Sequence, residues 1–304
     1  MDFDNTSIRI LQINLGRSIA ASSLLSKNID NYDLILVQEP HCKKNIPSCL
    51  PTSCPVLRGS DDISWAITLI ANTDLSLMHH TNFSSKYLIT TELMIDKERF
   101  IVINVYLPGD YDDNVFIDEL QRKVHAFCDT CIIIAGDFNA HSPAWGGDAF
   151  DLRGGMLEEF FAVNDLIIIN NPLSSPTFIS SRGESWIDIA VCSANYHSKI
   201  QDWRILDEDS LTEHAYITFN LVNINRSSTS PYLPRNKYAC NRANWPAIKN
   251  FLDDHLIDQY SEDPAIVRGQ IDKNIETIIN ACELYIPKRI VQYIRKVCLG
   301  GPSS

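Results

Sequence analysis

Short apolar runs that end in a polar residue recur along this 304-residue chain. Ile8-Arg9-Ile10-Leu11-Gln12-Ile13-Asn14 alternates in part, which predicts a strand with Asn14 at its exit. Asp33-Leu34-Ile35-Leu36-Val37-Gln38-Glu39-Pro40 reads as a strand buried on both faces that stops at a carboxylate before a breaker. The strand predicted over 100–106 runs into Leu107-Pro108-Gly109 and delivers the Tyr106 phenol. Cys131-Ile132-Ile133-Ile134-Ala135-Gly136-Asp137-Phe138-Asn139 repeats the pattern. Periodicity alone leaves a buried helix segment open here, but Gly136 and the Asn-Ala-His-Ser-Pro that follows end a strand in a loop. Asp137 and Asn139 then share one side of the exit. In layered α/β folds, sites assemble at such carboxyl ends.

The remaining pattern fills in the layers. Helices are predicted over 18–29 (Ala20, Ala21, Leu24, Leu25 and Ile29 on one face), 112–127 (Phe116, Leu120, Val124, Phe127) and 151–163 (Leu152, Met156, Phe160, Phe161). Residues 42–62 form a Cys/Pro/Ser-rich loop, and strands over 63–71, 75–79, 87–95 and 100–106 follow as an antiparallel meander. After a strand at 166–169, a hairpin links 177–179 to 186–191 through Ser181-Arg182-Gly183-Glu184. Strands at 200–206 and 215–222 close the series, with Thr212-Glu213-His214 just before the last. The expected domain is therefore 1–224. Beyond it, Ser227-Ser228-Thr229-Ser230-Pro231 is a linker by composition. Trp245, Ile248, Leu252 and Leu256 mark one helix; Ile271, Ile275, Ile278, Cys282 and Tyr285 mark another, stopped by Pro287. Two helices make a weak core, so the 225–304 segment is expected to lean on something else.

Composition narrows the class. With 45% hydrophobic and 21% charged residues the chain should be globular. No stretch approaches the roughly 18 apolar residues of a membrane span. The amino terminus has no secretory pattern, so an intracellular, reducing setting is expected for the nine cysteines. His41, Cys42, Cys49 and Cys54 fit no standard zinc spacing, and Cys128-x-x-Cys131 lacks a second pair. The net charge of −12 is unevenly spread: residues 1–224 carry 15 basic and 30 acidic side chains, net −15, and 225–304 carry 11 and 8, net +3. An acidic main domain argues against a broad electrostatic grip on nucleic acid and for a site that gathers cations. The basic stretch 226–249 is a backbone contact or a solvated linker.

Down the predicted strand exits the polar set is Asn14, Glu39, Tyr106, Asp137, Asn139, Asp188 and Glu213-His214. Six motifs carry a resemblance: Leu11-Gln12-Ile13-Asn14, Gln38-Glu39-Pro40, Val105-Tyr106-Leu107-Pro108, Gly136-Asp137-Phe138-Asn139-Ala140-His141, Ser185-Trp186-Ile187-Asp188 and Thr212-Glu213-His214. In order and spacing they resemble the endonuclease/exonuclease/phosphatase superfamily. More narrowly, they are similar to the apurinic-type endonuclease domain of non-LTR (LINE-type) retrotransposon polyproteins. One motif is weak; six in order over residues 7–222 are strong. The resemblance implies a four-layer α/β sandwich, two mostly antiparallel sheets flanked by helices, with a C-terminal helical extension. That extension resembles the connector leading to a reverse transcriptase, which is missing here. The implied activity is DNA nicking that leaves a 3′-hydroxyl and uses Mg2+, with Mn2+ as a substitute. DNA is the implied partner, element RNA would act only through the missing polymerase, no membrane is involved, and the nucleus is the implied location.

Elementary chemistry supports the same roles. Magnesium takes one or two carboxylates and binds substrate phosphate directly, which suits Glu39 with Asn14 and Glu213. Asp188 beside His214 would fix the imidazole tautomer and stabilise its cation. Asp137, oriented by Asn139, would hold the attacking water, and Tyr106 would donate to a phosphate oxygen. Singly, each residue has an ordinary role as a loop, surface-pair or anchoring side chain; jointly the site reading outweighs them. Arg182 at the hairpin tip and Trp186 are candidate DNA contacts, with a solvated turn and core packing as alternatives. The chain departs from the family pattern at Gly16, usually polar, and at Glu213, where Ser-Asp-His is usual. The extra methylene moves the carboxylate by roughly an ångström, a shift that can cost about a hundredfold in rate. Two other readings therefore stay open: a folded mobile-element remnant that binds DNA without turnover, and a phosphatase or phosphodiesterase of the same superfamily.

Overall fold

The computed structural model describes residues 7–61, 63–95, 97–222, 237–238, 243–257 and 264–289. The chain divides into two compact units at Asn225/Arg226.

The first unit is built on two six-stranded mixed sheets. One runs Ile200–Ile205, Ile217–Val222, Ser7–Asn14, Leu34–Gln38, Ala66–Ile70, Val56–Leu57 in space. The other runs Leu166–Ile168, Asp188–Ser193, Cys131–Asp137, Glu98–Tyr106, Leu88–Ile95, Ser76–His79. Each has one parallel pair near its centre, Ser7–Asn14 with Leu34–Gln38 and Glu98–Tyr106 with Cys131–Asp137, and antiparallel neighbours. The register sets Asn14 opposite Gln38, and Asp137 between Tyr106 and Asp188.

The two-residue period of a strand decides what lies between the sheets. Ile8, Ile10, Leu34, Leu36, Phe100, Val102, Cys131, Ile133 and Ala135 form one apolar layer with Ala190, Cys192, Phe219 and Leu221. The same alternation carried onward brings Gln12, Asn14, Gln38, Asn104, Tyr106 and Asp137 to that face, all buried. The inter-sheet layer thus turns from apolar to polar at the carboxyl ends of the parallel strands. Its floor is tied: Gln38 Nε2 donates to Asn104 Oδ1 at 2.6 Å, and Asn104 Nδ2 to Ile67 O at 2.7 Å.

Helices cover the outer faces. Ala21 and Leu25 of α1 (Ile19–Asn28) pack on Leu11, Ile13, Ile35 and Val37. Phe116, Leu120 and Val124 of α2 (Asp113–Ala126) and Leu157, Phe160 and Phe161 of α3 (Leu152–Val163) pack on Ile101, Ile103, Ile132 and Ile134. Helix, sheet, sheet, helix is the expected four-layer α/β sandwich. Ser18, Asp112 and Asp151 cap the helices by accepting first-turn N–H groups.

Three local expectations need correction. In α3, Leu152 is 79% exposed while Arg153, Gly154 and Leu157 are buried. Gly154 sets that rotation: a Cβ there would lie 2.0 Å from His141 O, so the helix docks on the His141 backbone through its glycine. In α1, Ser22 takes the inside place expected of Ala20, its hydroxyl satisfied by Ser18 O at 2.8 Å. The hairpin pairs Phe178–Ser180 with Gly183–Ser185, so the arm predicted over 186–191 divides. Trp186 and Ile187 leave it, and Asp188–Ser193 joins the second sheet.

The second unit holds α4 (Trp245–His255) and α5 (Pro264–Tyr285). Ile248, Ala281 and Ile286 are its buried centre, with Phe251, Leu252, Cys282 and Tyr285 against it. Ile271, Ile275 and Ile278 of the predicted stripe remain 45–50% exposed, since 11 residues of α4 cannot cover 22 of α5. The linker at 227–231 and most of the basic stretch 226–249 lie outside the described residues. Among the described residues no helix is long and apolar enough to cross a membrane.

Candidate active site

A cavity of about 560 Å³ has Glu39, Tyr106, Asp137, Asn139, Glu213 and His214 in its wall. Gly136 makes the approach to Asp137 possible. Its φ is +153°, and a Cβ would lie 1.9 Å from Val105 O on the neighbouring strand. Asp137 is buried and oriented from two sides: Oδ2 accepts from Asn14 Nδ2 at 2.8 Å, Oδ1 from the Asn139 backbone N–H at 3.0 Å. Asn139 has φ +46°, a conformation non-glycine residues rarely adopt, and it turns that N–H back on Asp137. Its side chain donates to Leu107 O at 3.0 Å.

Asn14 and Asp188 stand behind the cavity wall. Asn14 Oδ1 is taken by Gly16 N–H at 2.8 Å, and its Nδ2, besides serving Asp137, lies 3.3 Å from Glu39 Oε1. In that orientation it bridges two carboxylates as a donor and offers no oxygen to a cation. Asp188 Oδ2 lies 2.9 Å from His214 Nδ1, and His214 Nε2 lies 4.0 Å from Asp137 Oδ2. The His214 loop is held by the hairpin. Ile179 N–H donates to Glu213 O, Ala215 N–H to Thr177 O, and the Phe178 ring meets the imidazole edge-on at 4.8 Å.

The electrostatics follow from burial. Desolvation lowers the His214 pKa, but the charge and hydrogen bond of Asp188, then Asp137 and Glu39, outweigh it and raise it to about 9. Desolvation and then the Asp188 charge push Asp137 up to about 7, against His214, the Asn139 N–H and Asn14. Burial, the Glu39 charge and a hydrogen bond to Glu39 raise the Tyr106 phenol well above its usual range, so it stays a donor. Near neutral pH His214 is an imidazolium and Asp137 is only part-ionised. Asp137, Asp188 and His214 also bring ligand-type atoms within 4.8 Å of one another, the one such group found among the described residues. With His214 protonated, its ring repels a metal ion there.

Residues 100–218 match the family described as Endonuclease-reverse transcriptase. The fold is similar to that of the endonuclease domain of TRAS1, a telomere-specific non-LTR retrotransposon, at 22% identity and TM-score 0.63 over 71% of this chain and 98% of that one. It is also similar to the AP endonuclease LMAP from Leishmania major (14% identity, TM-score 0.56, 73% of this chain and 90% of that one). The Xenopus laevis APE2 catalytic domain matches at 16% identity and TM-score 0.54, over 72% of this chain and 94% of that one. The fold of the first unit is that of these endonucleases, and the family match lies on residues 100–218 within it. No curated protein matches the sequence.

Within this fold, Asn14, Glu39, Tyr106, Asp137, Asn139, Asp188 and His214 come together, although they lie on six separate segments. Glu213 reaches the cavity but its side chain is exposed and outside the Asp137–Asp188–His214 group. Arg182 is exposed at the hairpin tip and away from the cavity wall. Trp186 is half-buried against Gly146 and Gly147, donates Nε1–H to Ser174 O at 3.0 Å, and lines a second cavity of about 210 Å³. His41, Cys42, Cys49 and Cys54 form no metal group among the described residues. The sequence reading assigned no role to Arg17, Trp65, Phe178 or the His141–Asp151 pair. For His141 a signal existed, since 137, 139 and 141 alternate toward one side. The Arg17–Glu39 contact depends on strand order and had none.

Proposed function

We propose that this protein is a divalent-metal-dependent DNA endonuclease that hydrolyses one phosphodiester and leaves a 3′-hydroxyl, as the endonuclease of a non-LTR retrotransposon. The observation that carries the reading is the buried line Asp188–His214, with Nε2 facing Asp137 across 4.0 Å beside Glu39. The family description and the TRAS1 likeness agree with it. A water held at Asp137 attacks phosphorus and gives its proton to that carboxylate. The P–O3′ bond breaks, the departing O3′ takes a proton from solvent, and 3′-hydroxyl and 5′-phosphate ends result. His214 Nε2–H and the Tyr106 hydroxyl donate to the non-bridging oxygens, which carry the most charge at that moment.

Glu39 is the residue that would hold Mg2+ or Mn2+. Its carboxylate opens on the cavity, is braced by Asn14, and has the Arg17 guanidinium 3.3 Å from Oε2, so the position accepts positive charge. Glu213 is a second carboxylate on the same wall, and Asn14 supports the ligand instead of serving as one. A bound ion supplies charge against the phosphate and the leaving oxygen. Arg182 and Trp186 are the DNA-facing candidates, and residues 225–304 are the connector.

The test is nicking of supercoiled plasmid by the purified chain with magnesium and with EDTA, beside His214→Ala and Glu213→Asp. Magnesium-dependent nicking that His214→Ala abolishes, with ends a polymerase extends directly, is expected. Nicking by Glu213→Asp alone would mean an intact fold silenced at one residue. No nicking by either would overturn the reading.

A further inference from the structure

Glu39 already has a cation beside it. Arg17 sits in a turn at φ +57°, where its backbone N–H donates to Glu39 O at 2.9 Å and its Nε lies 3.3 Å from Glu39 Oε2. The guanidinium carbon is 3.7 Å from the centroid of the Trp65 ring. Trp65 in turn stacks on Tyr106, 5.6 Å between centroids and 9° between planes, and Tyr106 shares the cavity wall with Glu39. Arg17, Trp65 and Tyr106 therefore form a chain of contacts that starts at the Glu39 carboxylate. A planar guanidinium stacked on an indole is held with little further loss of freedom, which a lysine ammonium would not match. Yet the Arg17 side chain is 55% exposed, so it can leave Glu39 without disturbing the core.

We propose that Arg17 is a positioning residue for Glu39 that competes with the divalent ion. It pairs with Oε2 and keeps the carboxylate aimed at the cavity while no ion is bound, and it swings off that oxygen when one binds. The inference rests on the reading that Glu39 holds the ion. The guanidinium and the ion would draw on the charge of one carboxylate, and like charges a few ångströms apart repel. Solvent screens an exposed pair, so the competition should amount to about three- to tenfold in ion affinity.

The experiment is Mn2+ titration of the full chain by calorimetry, without DNA, for wild type, Arg17→Ala, Arg17→Lys, Glu39→Gln and the Arg17→Ala/Glu39→Gln double variant. Thermal unfolding checks that each is folded. Arg17→Ala should bind Mn2+ about three- to tenfold more tightly, with Arg17→Lys between it and wild type. Glu39→Gln and the double variant should bind alike, because the competition runs through the carboxylate. Unchanged or weaker binding by Arg17→Ala, with Glu39→Gln still impaired, overturns the role of Arg17 and leaves the metal reading standing. Equal binding by wild type and Glu39→Gln, or none by wild type, overturns both.

Discussion

Two carboxylate–imidazole pairs reach the same cavity through their histidines, with nearly the same contact, 2.9 Å for Asp188–His214 and 2.8 Å for Asp151–His141. Their surroundings differ. The Asp188 and His214 side chains are 1% and 8% exposed, whereas those of Asp151 and His141 are both 38% exposed. Asp188 lies on a strand inside the second sheet and His214 is clamped by a hairpin; Asp151 caps α3 and His141 rides a loop. In the buried pair the imidazole pKa rises to about 9, so a cation is fixed where charge must be met. In the open pair burial works against ionised Asp151, and hydrogen bonds from His141 and the Gly154 N–H hold its carboxyl below its usual value. That carboxylate serves mainly to start a helix. The same two residue types thus make a buried charged centre or a helix cap according to how much water reaches them.

Breaking the buried pair has the largest expected effect. His214→Ala should slow nicking by about 10²–10⁴-fold, the usual worth of a positioned proton donor, in single-turnover assays. Asp137→Asn should abolish nicking too, and should also stabilise the fold. A carboxyl whose folded pKa lies above its unfolded value costs stability once ionised, from the unfolded pKa upward and fully above about 7. Replacing it by a neutral amide should return about 1–2 kcal/mol at pH 8, a rise of a few degrees in Tm. The open pair should respond the other way round. Asp151→Ala should lower Tm through loss of an N-cap worth about 1 kcal/mol and leave the nicking rate nearly unchanged. His141→Ala should change that rate less than about fivefold.

Much of this site is legible in the chain because strand alternation is local. Ile8-x-Ile10-x-Gln12-x-Asn14 and Cys131-x-Ile133-x-Ala135-x-Asp137 each show, without any partner, where an inward face changes from apolar to polar. The hairpin was harder. Trp186-Ile187-Asp188 reads as one strand, and only pairing with Cys131–Asp137 assigns Asp188 to another sheet. Helix faces fail where a docking constraint outweighs hydrophobicity, as Gly154 does at Leu152. The α5 isoleucines form a clear stripe, yet α4 is too short to cover it. Arg17 on Glu39, Trp65 under Arg17 and Tyr106 on Trp65 link residues up to 89 positions apart in sequence, from Arg17 to Tyr106, and nothing local announces them.

The central claim is that Asp137 as base and the Asp188-held His214 as cation act together. Its most direct test is the single-turnover rate of magnesium-dependent nicking by the full chain from about pH 5 to 10, for wild type and Asp188→Asn. The account predicts a bell-shaped profile for wild type, rising as Asp137 ionises near about 7 and falling as His214 loses its proton near about 9. In Asp188→Asn the falling limb should move down by more than about one unit, since the charge that raises the imidazole is gone. A rate that stays flat through the alkaline limb, or a limb that Asp188→Asn leaves in place, would contradict it.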